Sequence, residues 1–389
     1  MVGALYGLKT SPRDYLAEVT RRLTSMGYQR LALSDCIYTK TVDEDNTIIV
    51  HAYVDDFIIT GSSDAVILTQ FVTPFRQHAR TTEPIIQPTR LLGMEITYLP
   101  NHHICLIKVA GRIQALADEF GVSQRSRKRD TPMPVAGYLV CDEDFLNITP
   151  EESIYLTKQQ RHAYMAIVGA LIWIAGVRPD ITFSVMYLSW FTQSPRQHHH
   201  NMAMHVVTYL WSTMDLPLVL GGANAAQLTA YTDSSLATGP KRRSISGSMA
   251  KLHPSAGSII TKSQATQGVR LNTFEAELDA ATTGFKTLQY ITHLMEELHM
   301  PTHKTSHLYV DNMAMMEFIK HQGTATGVRY MDLRLWYTRE LYMAGKVDIM
   351  HMPGTEIPAN YLTKLATGEE HKKFTFSVLG HQLLPQDLL

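Results

Sequence analysis

The sequence is poor in cysteine, which excludes proteins built on a disulfide framework and proteins with paired-cysteine metal sites. Its three cysteines, Cys36, Cys105 and Cys141, lie far apart and form neither a disulfide framework nor a CxxC metal-binding pattern. We therefore expect a reducing, intracellular compartment. No run of residues approaches the ~20 apolar residues of a membrane span. The N-terminal MVGALYGLKT also lacks the pattern of a secretion signal, so we expect no membrane partner.

An excess of charge of one sign is also absent, because the formal net charge is -1. The whole-chain balance therefore does not indicate a nucleic-acid partner, and any such surface must come from local basic clusters. Residues 125–129 and 241–243 contain two such clusters, although each also fits a solvated loop. At 389 residues, with 45% apolar residues, the chain is long enough for two or three domains with sizeable cores.

The order of elements predicts an α/β protein. Strand-like runs at 35–41, 47–53 and 57–60 predict a hairpin that carries Asp55 and Asp56 at its turn. The segment 124–154 has the composition of a linker, and helical patterns follow from 157 to 211. From about residue 227 strands and helices alternate, which is typical of a sheet flanked by helices.

Two sets of carboxylates are candidates for metal chemistry. Asp55 and Asp56 lie between apolar strands, where adjacent acids are costly unless they face water or cations. Asp233 ends one predicted strand, Asp311 ends another, and Glu277 lies early in a long predicted helix. Carboxylates brought together in this way can hold Mg²⁺ for phosphoryl transfer. Each acid taken alone, however, also fits a turn, a helix cap or a dipole partner.

An ordered series of short motifs resembles the copia-type retrotransposon Pol polyproteins. The series runs through Tyr6-Gly7-Leu8-Lys9, Ser11-Pro12-Arg13, Tyr53-Val54-Asp55-Asp56, Leu92-Gly93-Met94-Glu95-Ile96, Thr131-Pro132-Met133 and Arg178-Pro179-Asp180-Ile181. The resemblance implies a truncated reverse transcriptase palm at 1–110, with the α+β fold of that subdomain. It further implies a helical, thumb- or connection-like region at 111–225 and a ribonuclease H-like domain with a mixed sheet at 226–389.

The resemblance also implies a missing catalytic residue in the palm. The family carries a further catalytic aspartate upstream of the Tyr6-Gly7-Leu8-Lys9 motif, and this chain begins just before that motif. Because a polymerase site needs carboxylates from both palm strands, we expect Asp55 and Asp56 to be a remnant and the chain alone to synthesise no DNA. Primer extension on a primed RNA template by the purified chain would refute this expectation.

In the last section the resemblance to ribonuclease H assigns metal binding to Asp233, Glu277 and Asp311, with Mg²⁺ as the cation and Mn²⁺ as a substitute. Glu275 is an alternative candidate for the metal-binding role given to Glu277. Glu277 is preferred because it is the second acid of the family's Glu-Ala-Glu pattern. The family places a fourth aspartate where this chain has Asn360, and an amide lacks the charge that Mg²⁺ prefers. Glu356 is a weak substitute, so we expect impaired cleavage.

The remaining candidates are histidines and basic residues. His351 is expected near the active site, where an imidazole can shuttle protons, although a half-buried strand histidine is the simpler interpretation. The run His198-His199-His200 is interpreted as a solvated helix start and not as a metal site. The residues assigned to nucleic-acid binding are Lys9, Arg13, Arg242, Arg243 and Arg329.

Together these inferences predict a part of a copia-type reverse transcriptase/ribonuclease H that binds RNA–DNA hybrid, without polymerase activity and with impaired nuclease activity. Its partners would be hybrid and template–primer nucleic acids and other Pol or Gag products of the element. The compartment would be a cytoplasmic virus-like particle or the nucleus. Two alternatives stay open: an active Mg²⁺-dependent hybrid nuclease, and a non-enzymatic nucleic-acid-binding protein or retroelement remnant.

Overall fold

The computed structural model describes residues 9–44, 46–134, 149–222, 225–321 and 332–385. Several residues of the sequence analysis lie outside these ranges: Tyr6, Gly7, Leu8, Cys141 and Arg329, together with residues 135–148 of the predicted linker. The described residues form two compact units. The first comprises the described residues up to Pro88 together with Tyr290–Pro301, and the second comprises Thr89–Gln289 and Thr302–Leu389. The three-domain division at 110 and 225 stays a prediction.

The first unit is an antiparallel sheet covered by helices. Its elements are α1 (Ser11–Ser25), β1 (Gln29–Arg30), β2 (Ile37–Asp43), β3 (Asn46–Tyr53), β4 (Asp56–Thr60), α2 (Asp64–Ile67) and α3 (Thr73–Arg76). The strand order is β1-β2-β3-β4. Alternate residues Ile48, Val50 and Ala52 of β3 point into the core, as the period of two in a half-buried strand requires. Leu23 of α1 packs in the same core.

The first part of the second unit combines a small sheet with three long helices. Its elements are β5 (Arg90–Leu91), β6 (Met94–Leu99), β7 (Ile104–Lys108), α4 (Ala110–Glu119), α5 (Lys158–Ala175), α6 (Thr182–Ser189), α7 (Gln197–Ser212) and β8 (Leu218–Gly221). The strand order is β5-β6-β7-β8, all antiparallel. Helix α5 is capped at its N-terminus by Thr157, whose side chain and that of Gln160 form a reciprocal capping box.

The last part of the second unit carries the candidate metal ligands on a five-stranded sheet of order β11-β10-β9-β12-β13. Its elements are β9 (Thr229–Ser235), β10 (Ile245–Lys251), β11 (Ile260–Ala265), α8 (Thr273–Glu297), β12 (Ser306–Val310), α9 (Met313–Lys320), α10 (Asp332–Met343), β13 (Val347–His351) and α11 (Gly368–Val378). Helix α8 belongs to this unit up to Gln289, and its last residues, from Tyr290, are counted with the first unit. Strands β9, β10 and β11 are antiparallel, whereas β12 runs parallel to β9 and β13. The α/β class predicted from the sequence is confirmed.

Helix α8 crosses this sheet at close range because of one glycine. A Cβ placed on Gly284 would come within 2.6 Å of Leu308 Cδ1 and within 2.8 Å of Thr232 Cγ2. Any larger residue at 284 would push the helix away from β9 and β12. This close packing sets the distance between Glu277 on the helix and the acids on the two strands.

The interpretation of the histidine run as a solvated helix start is wrong for two of its members. His198 is 2% exposed and His199 is 1% exposed. The His199 ring stacks on Phe191 with centroids 3.7 Å apart, and its Nδ1 accepts the Arg196 N–H at 3.0 Å. Burial lowers the pKa of His199 to about 2, so the ring is neutral at physiological pH. Polarity alone could not reveal this aromatic stacking.

A buried ionic network lies in the core of the second unit. The Arg178 guanidinium donates to both carboxylate oxygens of Asp180, at 2.9 and 2.7 Å. The Tyr209 hydroxyl donates to Asp180 at 2.6 Å and lies 2.8 Å from His371 Nε2. The Arg178-Pro179-Asp180 motif therefore joins the segment before α6 to α7 and α11.

Among the described residues, no helix has the length and hydropathy that crossing a membrane requires.

Candidate metal centre

Three carboxylates from three separate elements converge at one place in the second unit. Asp233 lies in the central strand β9, Asp311 directly follows β12, and Glu277 lies in the first turns of α8. Each residue offers one oxygen, and these oxygens all lie within 4.8 Å of one another. Because β9 and β12 are parallel neighbours, both strands end at the same edge of the sheet, and α8 supplies the third acid.

The cluster is electrostatically unfavourable without a cation. Burial raises the pKa of Glu277 to about 8, and the nearby charges of Asp233 and Asp311 act in the same direction. Burial also raises the pKa of Asp233 to about 6, although a hydrogen bond from Thr363 opposes the shift. Like charges held this close favour protonation or a bound cation. The arrangement therefore has the electrostatic character of a metal site.

The hydrogen bonds of the cluster leave acceptor capacity free. The Ser234 hydroxyl donates to Glu277 Oε1 at 2.9 Å, and the Thr363 hydroxyl donates to Asp233 Oδ2 at 2.5 Å. Glu277 Oε2 is buried and has no hydrogen-bond partner within the described part of the chain. A buried, unsatisfied carboxylate oxygen is costly unless a cation binds it. The donor set, all carboxylate oxygen, suits a hard divalent cation.

The structure separates Glu277 from its competitor Glu275. The Glu275 backbone N–H donates to the Asn272 side chain at 2.8 Å, and its carboxylate accepts the Leu271 N–H at 3.0 Å. It also lies 3.8 Å from the Arg270 guanidinium. Glu275 therefore stabilises the N-terminus of α8, whereas Glu277 belongs to the carboxylate cluster.

Asn360 lies in the short 3₁₀ turn Pro358–Leu362, and its side chain is used structurally. Its Nδ2 donates to the Gly354 carbonyl at 3.1 Å. Gly354 in turn lies against Asp311, since a Cβ at 354 would come within 2.9 Å of Asp311 Oδ2. The amide thus holds the loop beside a candidate ligand. Glu356, the suggested substitute, is exposed and is not one of the three clustered acids.

His351 ends β13 and pairs in register with Val310, the residue before Asp311. It is exposed at the edge of the sheet that carries the cluster, which contradicts the half-buried interpretation. Its role in catalysis stays a prediction.

The basic candidates occupy exposed positions in both units. Arg242 and Arg243 follow the end of β9 in the connection to β10, close in sequence to Asp233. In the first unit, Lys9 and Arg13 are exposed near the start of α1. Within the described part of the chain, the side chains of these four residues form one ion pair, the exposed contact of Arg13 with Asp14 at 3.4 Å.

Asp55 and Asp56 lie at the predicted hairpin of the first unit. Tyr53 pairs with Asp56, so that Val54 and Asp55 form a two-residue turn between β3 and β4. Val54 has φ 49°, a left-handed conformation that is strained for a β-branched residue. Both aspartates are exposed. Within the described residues, neither belongs to a group of three or more clustered metal-ligating side chains.

Ser234 and Thr363 are the contacts that sequence reasoning missed. The sequence analysis assigned neither residue a function. Ser234 directly follows a candidate ligand, which is a usable signal. Thr363 lies 130 residues from Asp233, and no local pattern indicates that contact.

Comparisons with known proteins show what the chain is similar to. A family model described as reverse transcriptase (RNA-dependent DNA polymerase) matches residues 1–133. The chain is 26% identical over 365 residues to the retrovirus-related Pol polyprotein from transposon TNT 1-94 of Nicotiana tabacum, covering 93% of this chain and 26% of that protein. It is also 26% identical to the corresponding polyprotein from transposon RE2 of Arabidopsis thaliana, over 93% of this chain and 24% of that protein.

The chain therefore spans about a quarter of the length of these curated relatives. Among solved structures, LC11-RNase H1, which was isolated from compost by a metagenomic approach, is similar to 38% of this chain and 97% of its own. The identity is 12% and the TM-score is 0.29.

Proposed function

This chain belongs to the copia-type family of retrotransposon Pol polyproteins, and from that premise we propose that its C-terminal part cleaves the RNA strand of RNA–DNA hybrids with the help of Mg²⁺ or Mn²⁺. The convergence of Asp233, Glu277 and Asp311 within 4.8 Å is the observation that supports this proposal. Substrates of this kind would place the chain inside the cell, in a cytoplasmic virus-like particle or in the nucleus.

In the proposed reaction the chain's residues bind cations, contact phosphates and exchange protons. Asp233, Glu277 and Asp311 would hold the divalent cations, which supply activation of water and stabilisation of the leaving 3′-oxygen. Arg242 and Arg243 would neutralise phosphates next to the scissile bond. His351, exposed beside the cluster, would accept or return a proton. Discrimination of RNA from DNA would depend on contacts to the 2′-hydroxyls.

Cleavage of defined duplexes tests the proposal. The purified chain is incubated with labelled RNA–DNA hybrid, duplex RNA and duplex DNA, with Mg²⁺, with Mn²⁺ and with a chelator. We expect cleavage of the RNA strand in the hybrid alone, and none with the chelator. Binding of the hybrid without any cleavage, at every metal concentration, would instead support a non-enzymatic nucleic-acid-binding protein.

Asn360 is proposed to limit this activity, because the amide contributes no charge to the cation. Replacing Asn360 with aspartate should raise the affinity for Mg²⁺ and the rate of hybrid cleavage roughly tenfold, the lower end of what groups around a metal contribute. The lost hydrogen bond to the Gly354 carbonyl opposes this gain, by about 1 kcal/mol. Glu356→Gln is the matched control and should change neither quantity. A decrease in Mg²⁺ affinity for Asn360→Asp would contradict the proposed role.

The raised pKa values predict a pH-dependent stabilisation by Mg²⁺. In the metal-free protein, folding favours the protonated forms of Asp233 and Glu277, because their pKa values are raised. The stability that this protonation contributes is lost as pH rises through about 6 for Asp233 and about 8 for Glu277. A cation competes with these protons and relieves the repulsion at high pH. Thermal unfolding should therefore show a larger Mg²⁺-induced increase in Tm at about pH 9 than at about pH 5. Equal increases at both values would contradict the assignment of the cluster.

A further inference from the structure

The contact between Asp233 and Thr363 joins the centre of the sheet to the C-terminal segment. Both residues are buried, with Asp233 5% exposed and Thr363 1% exposed, and the hydroxyl lies 2.5 Å from Asp233 Oδ2. A hydroxyl that donates to a carboxylate at this distance makes one of the stronger hydrogen bonds in proteins. The bond fixes one oxygen of a carboxylate that could otherwise rotate.

A second acceptor is within reach of the same hydroxyl, but it is already satisfied. Thr363 Oγ1 lies 2.8 Å from the Asn360 carbonyl, which also accepts the Thr363 backbone N–H at 3.2 Å. A hydroxyl has one proton to donate. The charged acceptor binds it more strongly, so the proton is directed to Asp233.

The position of Thr363 is set by the packing of its backbone. Gly247 of β10 lies opposite Asp233 of β9, and a Cβ on Gly247 would come within 2.8 Å of the Ala359 carbonyl oxygen. The Ser263 hydroxyl also donates to the Leu362 carbonyl at 2.6 Å. The turn before Thr363 is therefore held against two strands, and the hydroxyl is presented in one place.

We propose that Thr363 is a positioning residue for the metal centre. Its hydroxyl holds Asp233 Oδ2, which stops rotation of the carboxylate and keeps the other oxygen available for the cation. Ser234 holds Glu277 Oε1 in the same manner and leaves Oε2, which has no hydrogen-bond partner among the described residues, available. The inference rests on the proposed function, since it concerns the same site.

Titration of the full chain with Mn²⁺, with the free ion counted by electron paramagnetic resonance, tests this inference without requiring activity. Thr363→Val keeps the shape of the side chain but removes the hydroxyl, and Thr363→Ser keeps the hydroxyl. We expect a Kd for Mn²⁺ about tenfold higher in the valine variant, which is typical for loss of a group that orients a metal ligand. The serine variant should bind within about threefold of the original chain.

Thr338→Val is the matched control, because Thr338 is also fully buried and its hydroxyl donates to the Leu335 carbonyl of its own helix. It should leave Mn²⁺ binding unchanged. Thr363→Ala is measured in the same way if the valine variant does not fold. Unchanged Mn²⁺ binding in a folded, hydroxyl-free variant overturns the inference.

Asp233→Asn distinguishes this failure from failure of the proposed function. Loss of Mn²⁺ binding in that variant, together with normal binding in Thr363→Val, rejects only the role of Thr363. Normal binding in both variants rejects the metal centre itself.

Discussion

Replacing Asp233 with asparagine should reduce hybrid cleavage roughly 10³-fold, since a catalytic cation contributes several kcal/mol and each 1.4 kcal/mol corresponds to a factor of ten. Asparagine keeps the shape and one carbonyl oxygen but removes the charge from the central strand. With Asp233 neutral, the cluster retains Glu277 and Asp311 alone, on a helix and at a strand end. The rate is measured on the labelled hybrid in the presence of Mg²⁺.

The same substitution should make the metal-free protein more stable, which separates loss of the site from loss of the fold. The raised pKa values of Asp233 and Glu277 show that their ionised forms are disfavoured in the folded chain. Removing one carboxylate therefore removes repulsion, and Tm in chelator should rise at about pH 9. Mg²⁺ should then no longer raise Tm.

Asp348→Asn supplies the control for charge, because Asp348 lies in β13 of the same sheet outside the carboxylate cluster. It should leave the rate of cleavage and the Mg²⁺-induced change in Tm as they are. If Asp233→Asn cleaves the hybrid at the original rate, another site performs the reaction.

The prediction of the three clustered acids depended on the family resemblance, because each acid taken alone also fits a turn, a helix cap or a dipole partner. Local sequence contributed the elements that carry them, since Asp311 directly follows a strand and Glu277 lies early in a long helix. Asp233 lies inside β9, which ends at Ser235, and not at the end of the strand as the sequence predicts. The hairpin with Asp55 and Asp56 follows from local sequence, and the structure confirms it.

What could not be predicted depends on contacts between distant parts of the chain. Strand β8 pairs with β7, which lies more than a hundred residues earlier in the chain. Strand β11 is a polar strand at the edge of the five-stranded sheet. Neither has the apolar alternation that identifies a strand. The hydroxyl of Thr363 and the stacked ring of His199 likewise have functions only in the folded chain. Polar side chains gain their role from tertiary packing, which a single sequence does not encode locally.

The buried pair of Arg178 and Asp180 has the second largest expected effect, and it concerns stability. Burial alone raises the pKa of Asp180, but the adjacent guanidinium outweighs burial and the net pKa is lowered. Arg178 also donates to the Thr213 carbonyl at 2.8 Å, so its charge is fully surrounded by acceptors. Breaking such a pair leaves an uncompensated charge in the core, whereas the intact pair is close to neutral in energy.

Arg178→Ala should therefore destabilise the second unit by about 3–5 kcal/mol, the cost of one buried partner left alone. Urea unfolding followed by tryptophan fluorescence measures this unit by itself, since its residues include all tryptophans of the chain: Trp173, Trp190, Trp211 and Trp336. Lys372→Ala, which removes an exposed pair with Glu369 on α11, should cause no measurable change.

The pH dependence of this destabilisation decides whether the unpaired carboxylate of Asp180 causes the loss of stability in Arg178→Ala. A lowered pKa means that Asp180 contributes stability above its unfolded pKa, and that this contribution is lost as pH falls through the folded value. In Arg178→Ala the isolated carboxyl takes up a proton more readily, so the difference from the original chain should shrink as pH falls towards about 4. A difference that stays constant over this range would assign the loss to packing of the Arg178 side chain, and not to the charge of Asp180.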